Sequence, residues 1–136
     1  MSMTARRDRI FAFRLDSESG VPVYRQIIDQ VLGGIAAGSL RAGEQLPTVR
    51  QLAVDLSVNP NTVIRAYREL EIRDVLSSQQ GTGTFVTARK PERDDEERQR
   101  RLAQIAGEAV ARAGAEGFSV QELMRRLREM SSERGK

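Results

Sequence analysis

Leu46-Pro47-Thr48-Val49-Arg50-Gln51-Leu52-Ala53-Val54-Asp55-Leu56-Ser57-Val58-Asn59-Pro60-Asn61-Thr62-Val63-Ile64-Arg65-Ala66-Tyr67-Arg68-Glu69-Leu70 is the stretch that decides the fold of this chain. Val49, Leu52, Ala53 and Leu56 stand at offsets 0, 3, 4 and 7, and Val63, Ala66, Tyr67 and Leu70 repeat that spacing. Each set lies on one face of a helix. Thr48 predicts an N-cap for the first helix. Asn59 predicts one for the second, with Pro60 at its first position, where the missing N–H costs nothing. Ser57-Val58 forms the break. A small residue at the crossing (Ala53), a turn four residues on, and buried Val58 and Val63 make a helix-turn-helix. The spacing alone also fits any helical hairpin with alanine and leucine at its crossing.

Composition narrows what such a hairpin can do. The 136 residues are 39% hydrophobic and 30% charged, which suits one globular domain with an appendage. There is no Cys and no His, so thiol chemistry, disulfides, Cys/His zinc sites and the commonest general base are excluded. No apolar run approaches the roughly 20 residues that span a bilayer, and Ile10-Phe11-Ala12-Phe13 after Arg6, Arg7 and Arg9 is too short for a signal peptide core. A cytoplasmic protein with no membrane partner is expected. Net charge is only +3, and from Arg41 to Arg68 four arginines (41, 50, 65, 68) face Glu44 and Asp55. That local excess permits nucleic acid without demanding it.

Upstream, residues 1–20 read as a basic arm. Phe11, Phe13 and Leu15 alternate as in a half-buried strand or extended segment, the bland alternative being a loose terminus, and Asp16–Gly20 reads as a turn. Pro22 opens a helix whose stripe is Tyr24, Ile27, Ile28, Val31, Leu32 and Ile35, with Gly38 as its C-terminal stop. This helix is read as scaffold. Gly33-Gly34 within it costs roughly 1 kcal/mol per glycine relative to alanine, which close packing or early fraying would explain. Residues 40–47 are a connector with Leu40 and Leu46 pinned in the core. Downstream, Val75–Gln79 and Thr84–Thr87 are strand-like and flank Gln80-Gly81-Thr82-Gly83, hairpin chemistry. A hairpin directly after a helix-turn-helix is a wing, unless it only closes the core.

These residues together resemble the GntR family of bacterial regulators. Gly38-x-Leu40-x-x-Gly43-x-x-Leu46-Pro47-Thr48-x-Arg50-x-Leu52-Ala53 leads to Asn59-x-x-Thr62-Val63. Then come Tyr67-x-x-Leu70-Glu71 and Gly81-x-Gly83-Thr84-Phe85-Val86. The likeness covers residues 22–87, and several motifs stand in the right order and spacing. Asn59-Pro60-Asn61-Thr62-Val63 followed by Arg65-Ala66-Tyr67 resembles the short-tailed YtrA-type branch. One departure is Asp74-Val75-Leu76, where a glycine then a leucine is more frequent; Ser57, where a helix-turn-helix usually has its turn glycine, departs from the general motif. The resemblance implies a recognition helix over about 59–73 in the DNA major groove and a wing over about 75–87 at the backbone or minor groove. The DNA-contacting residues would be Arg50, Asn59, Asn61, Thr62, Arg65 and Arg68, with Gly81, Thr82 and Gly83 at the wing tip. Asn59 also serves as a cap, and the blander reading leaves Arg65 a solvated charge.

The last third is a charge-dense linker and helix start over 89–98, with Asp94–Glu97 leading at the positive end of the helix dipole. A two-helix region over 99–131 and a frayed tail over 132–136 follow. Leu102, Ile105, Ala106, Ala109, Val110 and Ala113 form one stripe. Gly114–Gly117 breaks it, and Val120, Leu123, Met124 and Leu127 form the second, with Met130 at its end. Ser119 with Glu122 reads as a capping box, and Phe118 with Leu123 as a hydrophobic staple. Two such helices bury too little to stand alone. In the YtrA-type branch this tail is associated with dimerisation, so Leu102, Ile105, Ala109, Val110, Leu123, Met124 and Leu127 are expected at a homodimer interface. Packing within the monomer is the alternative.

The fold expected is therefore mainly α with a small β-hairpin wing: a winged helix-turn-helix domain over 21–88 plus a C-terminal two-helix dimerisation tail. The function expected is a sequence-specific transcriptional regulator, a repressor by preference. As a homodimer it would bind a double-stranded, inverted-repeat operator. The resemblance extends this to transporter genes and the regulator's own operon. The rival is a nonspecific architectural DNA binder or a protein-interaction module. Nothing requires a cofactor. Larger relatives carry a pyridoxal-phosphate domain, but that needs a far longer chain and a Schiff-base lysine, and only Lys90 and Lys136 are present. An unidentified small-molecule effector would have to sit at the dimer interface or between tail and wing domain.

Overall fold

The structure, a computed structural model, describes residues 11–88 and 95–135. Arg6, Arg7, Arg9 and the linker to Asp94 lie outside the described residues. The chain divides into two units, Met1–Arg89 and Lys90–Lys136. The first holds α1 (Val23–Ala37), β1 (Gln45–Leu46), α2 (Val49–Leu56), α3 (Pro60–Ile72), β2 (Leu76–Gln79) and β3 (Gly83–Val86). The second holds α4 (Asp95–Ala115) and α5 (Val120–Gly135). This is a winged helix-turn-helix, as expected from the sequence, whose hairpin is extended to a small three-stranded antiparallel sheet.

The first unit has one core, centred on α3, which packs against α1, α2 and β2. Ile27, Ile28 and Val31 of α1, Leu52 and Ala53 of α2, and Val63, Ala66, Tyr67 and Leu70 of α3 are buried, as the 3–4 spacing requires. Burying each large aliphatic side chain contributes roughly 1.5–3 kcal/mol. Leu40 and Leu46 are also inside. Val58 is half-buried at the margin of this core instead of inside it, because it sits in the exposed turn between the two helices.

The turns account for both positions where glycine is usual, Ser57 and Asp74. After α2, the Ser57 N–H bonds the Val54 carbonyl at 3.2 Å and the Val58 N–H bonds that of Ala53 at 3.0 Å. After α3, Asp74 bonds Glu71 at 3.0 Å and Val75 bonds Leu70 at 2.8 Å. Both are Schellman closures, which require a left-handed residue just past the helix. Ser57 has φ +56° and Asp74 φ +63°, the region that glycine enters without steric cost. The same closure ends α4, where Gly117 occupies that position.

Four boundaries differ from the sequence reading. Pro22 is the N-cap of α1 instead of its first residue, with ψ 148° still extended. The connector over 40–47 contributes a strand: Gln45 and Leu46 pair with Phe85 and Thr84, so β3 is the central strand, in the order β1-β3-β2. Val75 is buried but precedes β2, because its N–H is committed to the Schellman closure. The recognition helix is Pro60–Ile72, with Asn59 and Arg73 as its caps.

Residues 11–15 form neither strand nor helix. Backbone N–H groups of Arg14 and Asp16 donate to the side-chain carbonyls of Gln30 (2.9 Å) and Gln26 (2.8 Å) on α1. Phe11 and Phe13 meet edge to face at 5.0 Å and pack against the core. Phe11 also decides the glycine pair. A methyl at Gly34 would stand 2.7 Å from its ring, whereas one at Gly33 would meet nothing within 4 Å. Gly34 is there for close packing.

In the second unit, α4 runs through Gly114 to Ala115 before turning at Glu116-Gly117. Ser119 and Glu122 form the expected capping box: the Ser119 N–H donates to the Glu122 carboxylate at 2.9 Å, and the Glu122 N–H to the Ser119 hydroxyl at 3.1 Å. The backbone bond from Ser119 holds the Glu122 carboxyl below the usual carboxylate range. Helix α5 continues to Gly135, past Ser131, where the apolar stripe ends and fraying is expected. No helix among the described residues is long and apolar enough to cross a membrane.

Candidate nucleic-acid interface

All nine residues assigned to DNA contact lie in the first unit. The Thr48 hydroxyl accepts from the Gln51 N–H at 3.0 Å and starts α2, which fixes Arg50 in its first turn. The Asn59 side chain accepts from the Asn61 N–H at 2.8 Å, so the cap role is realised. Pro60 follows at the first helical position. Neither α2 nor α3 has an acidic residue in its first turn. The positive ends of both helix dipoles are thus left for an anion from outside.

Along the outward face of α3, Asn61, Ile64, Arg65, Arg68, Glu69 and Ile72 line one shallow groove. Asn61, Arg65 and Arg68 are exposed and Thr62 is half-buried. Glu69, the carboxylate one turn beyond Arg65, bonds Arg73 at 3.1 Å instead. Among the described residues Arg50, Arg65 and Arg68 form no ion pair. Ile64 and Ile72 were not among the expected site residues. A stripe reading assigns helix-surface isoleucines no role, though thymine methyl groups make apolar contacts useful in a major groove.

The groove face is held at its angle from behind. Tyr67 is buried on the opposite face of α3, and its hydroxyl donates to the Pro47 carbonyl at 2.7 Å. Burial pushes its phenol well above the usual tyrosine pKa.

In the wing, the Thr82 N–H bonds the Gln79 carbonyl at 2.9 Å across the turn, with Gly81 at φ +79°. Gly81 and Thr82 are exposed. Gly83 has a different occupation: it begins β3, and the Gln45 amide lies where its side chain would be, 2.4 Å from the site of a Cβ. That amide donates to the Thr82 carbonyl at 3.1 Å. Gln45 thus braces the wing tip, a role that only the pairing of β1 with β3 makes visible.

One further contact crosses elements. The Arg65 guanidinium carbon sits 3.7 Å from the centroid of the Tyr24 ring on α1. Tyr24 was read as part of the α1 core stripe, and no spacing in the sequence places it beside Arg65.

Comparison with known proteins agrees with this architecture. The profile of bacterial regulatory proteins of the gntR family matches residues 23–86. The HTH-type transcriptional regulator Rv1152 of Mycobacterium tuberculosis is 40% identical over 114 residues, which is 84% of this chain and 89% of that protein. The HTH-type transcriptional repressor YtrA of Bacillus subtilis is 39% identical over 74 residues, 54% of this chain and 57% of the repressor. Among solved structures, YtrA from Sulfolobus acidocaldarius, a GntR-family transcription factor, superposes with a TM-score of 0.55 at 33% identity, covering 73% of this chain and 97% of that one. These relatives are named as transcriptional regulators, not as enzymes. The chain belongs to the GntR family of transcriptional regulators, as a YtrA-type member with a DNA-binding winged helix-turn-helix domain.

Proposed function

We propose that the protein is a cytoplasmic repressor that binds an inverted-repeat operator as a homodimer. The observation that carries the reading is the outward face of α3, where Asn61, Arg65 and Arg68 stand exposed beside an acid-free helix start. Asn61 and Thr62 have the short polar reach for base edges in the major groove, and the guanidiniums suit guanine or phosphate. Arg50 and the start of α3 add phosphate contacts, and Gly81 and Thr82 bring the wing to the backbone or minor groove. The repressor assignment leans on the name of the B. subtilis relative.

Dimerisation is supported by the apolar side chains that the second unit leaves uncovered. Leu102 is 56% and Ile105 62% exposed, and Val110, Met124 and Leu127 are exposed as well, while Ala109 and Leu123 are half-buried. A second copy of the same helices would cover them. Transporter genes and the regulator's own operon are the proposed targets, with any effector held at the dimer interface.

Selection of duplexes from a random-sequence pool by the full chain, followed by footprinting, tests the reading. A single palindrome protected on two half-sites is expected. Retention of unrelated sequences with equal affinity would leave a nonspecific DNA binder in its place.

A further inference from the structure

We propose that Tyr24 is a positioning residue for operator recognition: its ring holds the Arg65 guanidinium ready at the DNA-facing surface of α3. This rests on the operator-binding reading above. The stacking distance of 3.7 Å is well inside the roughly 6 Å over which a cation is drawn to an aromatic face. Tyr24 is half-buried at the second position of α1 and packs against the core, so the ring is a fixed platform. Arg65 is exposed and would otherwise sweep through many rotamers.

The choice of an aromatic partner matters for what stays free. A carboxylate would have neutralised the arginine and used its donors. The nearest candidate by helix spacing, Glu69, is engaged with Arg73. A ring on the face of a guanidinium leaves all five N–H donors pointing outward in its plane. Arg65 therefore keeps both its charge and its bidentate fork for phosphate or a guanine edge while part of its freedom is already removed. Helix α1 is then more than scaffold, because it orders one of the reading side chains before DNA arrives.

The experiment measures affinity of the full chain for the duplex it selects from a random-sequence pool. The variants are Tyr24→Phe, Tyr24→Leu, Arg65→Ala and the Tyr24→Leu/Arg65→Ala pair. Tyr24→Phe should stay within about twofold of wild type, and Tyr24→Leu should weaken binding about fivefold. Adding Tyr24→Leu to Arg65→Ala should change nothing further. Equal weakening in both backgrounds, or none in either, would overturn the proposal. If Arg65→Ala binds as wild type does, the operator reading of Arg65 is lost and the proposal with it. A second readout needs no leucine variant to fold: in the free wild-type protein, the Arg65 side-chain NMR signals should be displaced upfield by the Tyr24 ring current. Signals at ordinary arginine positions would overturn the stacking itself.

Discussion

Tyr67 and Pro47 are joined by a hydrogen bond, hydroxyl to carbonyl, at 2.7 Å. The bond ties the middle of the recognition helix to the residue just before the cap of the preceding helix, so the crossing of the two is fixed by a polar contact as well as by packing. Tyr67→Phe keeps the packing and removes the bond, and should cost about 1 kcal/mol in urea unfolding. The phenol is also harder to ionise in the folded chain than in the unfolded one. Its contribution is full below the unfolded tyrosine pKa of about 10 and falls as pH rises beyond it, by up to about 1.4 kcal/mol per pH unit. The alkaline slope of stability should therefore be shallower in Tyr67→Phe than in wild type. Equal slopes would show that the phenol is not shielded.

Ser57 and Asp74 hold left-handed backbone where glycine would be unstrained. Ser57→Gly and Asp74→Gly should each raise stability by about 0.5 kcal/mol, the released strain being partly offset by glycine's greater unfolded-state entropy. Asp74→Val should lower it by about 1–3 kcal/mol, since a β-branched residue tolerates this region least. Thermal melts of the three variants decide the matter, and a stabilising valine would contradict the geometry.

The adjacent glycines of α1 should respond in opposite directions. Gly33→Ala adds a methyl to open space within a helix and should stabilise by about 1 kcal/mol. Gly34→Ala drives a methyl against the Phe11 ring and to 3.3 Å from Leu40, and should destabilise by about 1–3 kcal/mol. Stabilisation by both would mean that the residues 11–15 segment does not lie on the helix.

If the uncovered stripe of α4 is a dimer seam, Ile105→Glu should turn a sedimenting dimer into a monomer without loss of helix content. Affinity for the full palindrome should fall about tenfold or more, because two linked half-sites no longer bind as one. Binding to an isolated half-site should be unaffected. A dimer that survives both Ile105→Glu and Leu102→Glu would place the seam elsewhere.

Helix stripes, caps and hairpin punctuation are local signals, and Val49–Leu56, Pro60–Ile72 and the Ser119–Glu122 box were legible for that reason. Ser57 and Asp74 were visible only as departures from glycine, and the left-handed turns they form emerged with the backbone. The placement of the candidate residues was legible where one helix carries them, as with Asn61, Arg65 and Arg68 on α3 and Asn59 at its cap. What depended on pairing across the chain was hidden. The two residues of β1 are too few to show a period, and Gln45 on Gly83, Phe11 on Gly34 and Tyr24 on Arg65 join segments whose spacing carries no signal.

The place of β1 has one more consequence. The strand that borders the wing leads, through Pro47 and Thr48, straight into the first helix of the helix-turn-helix. Wing and helices are therefore joined by backbone pairing and a two-residue connection, a path by which a shift at the wing's base would reach the start of that helix. If two copies bind one operator as proposed, changing the distance between the two domains would release DNA without altering the shape of either one.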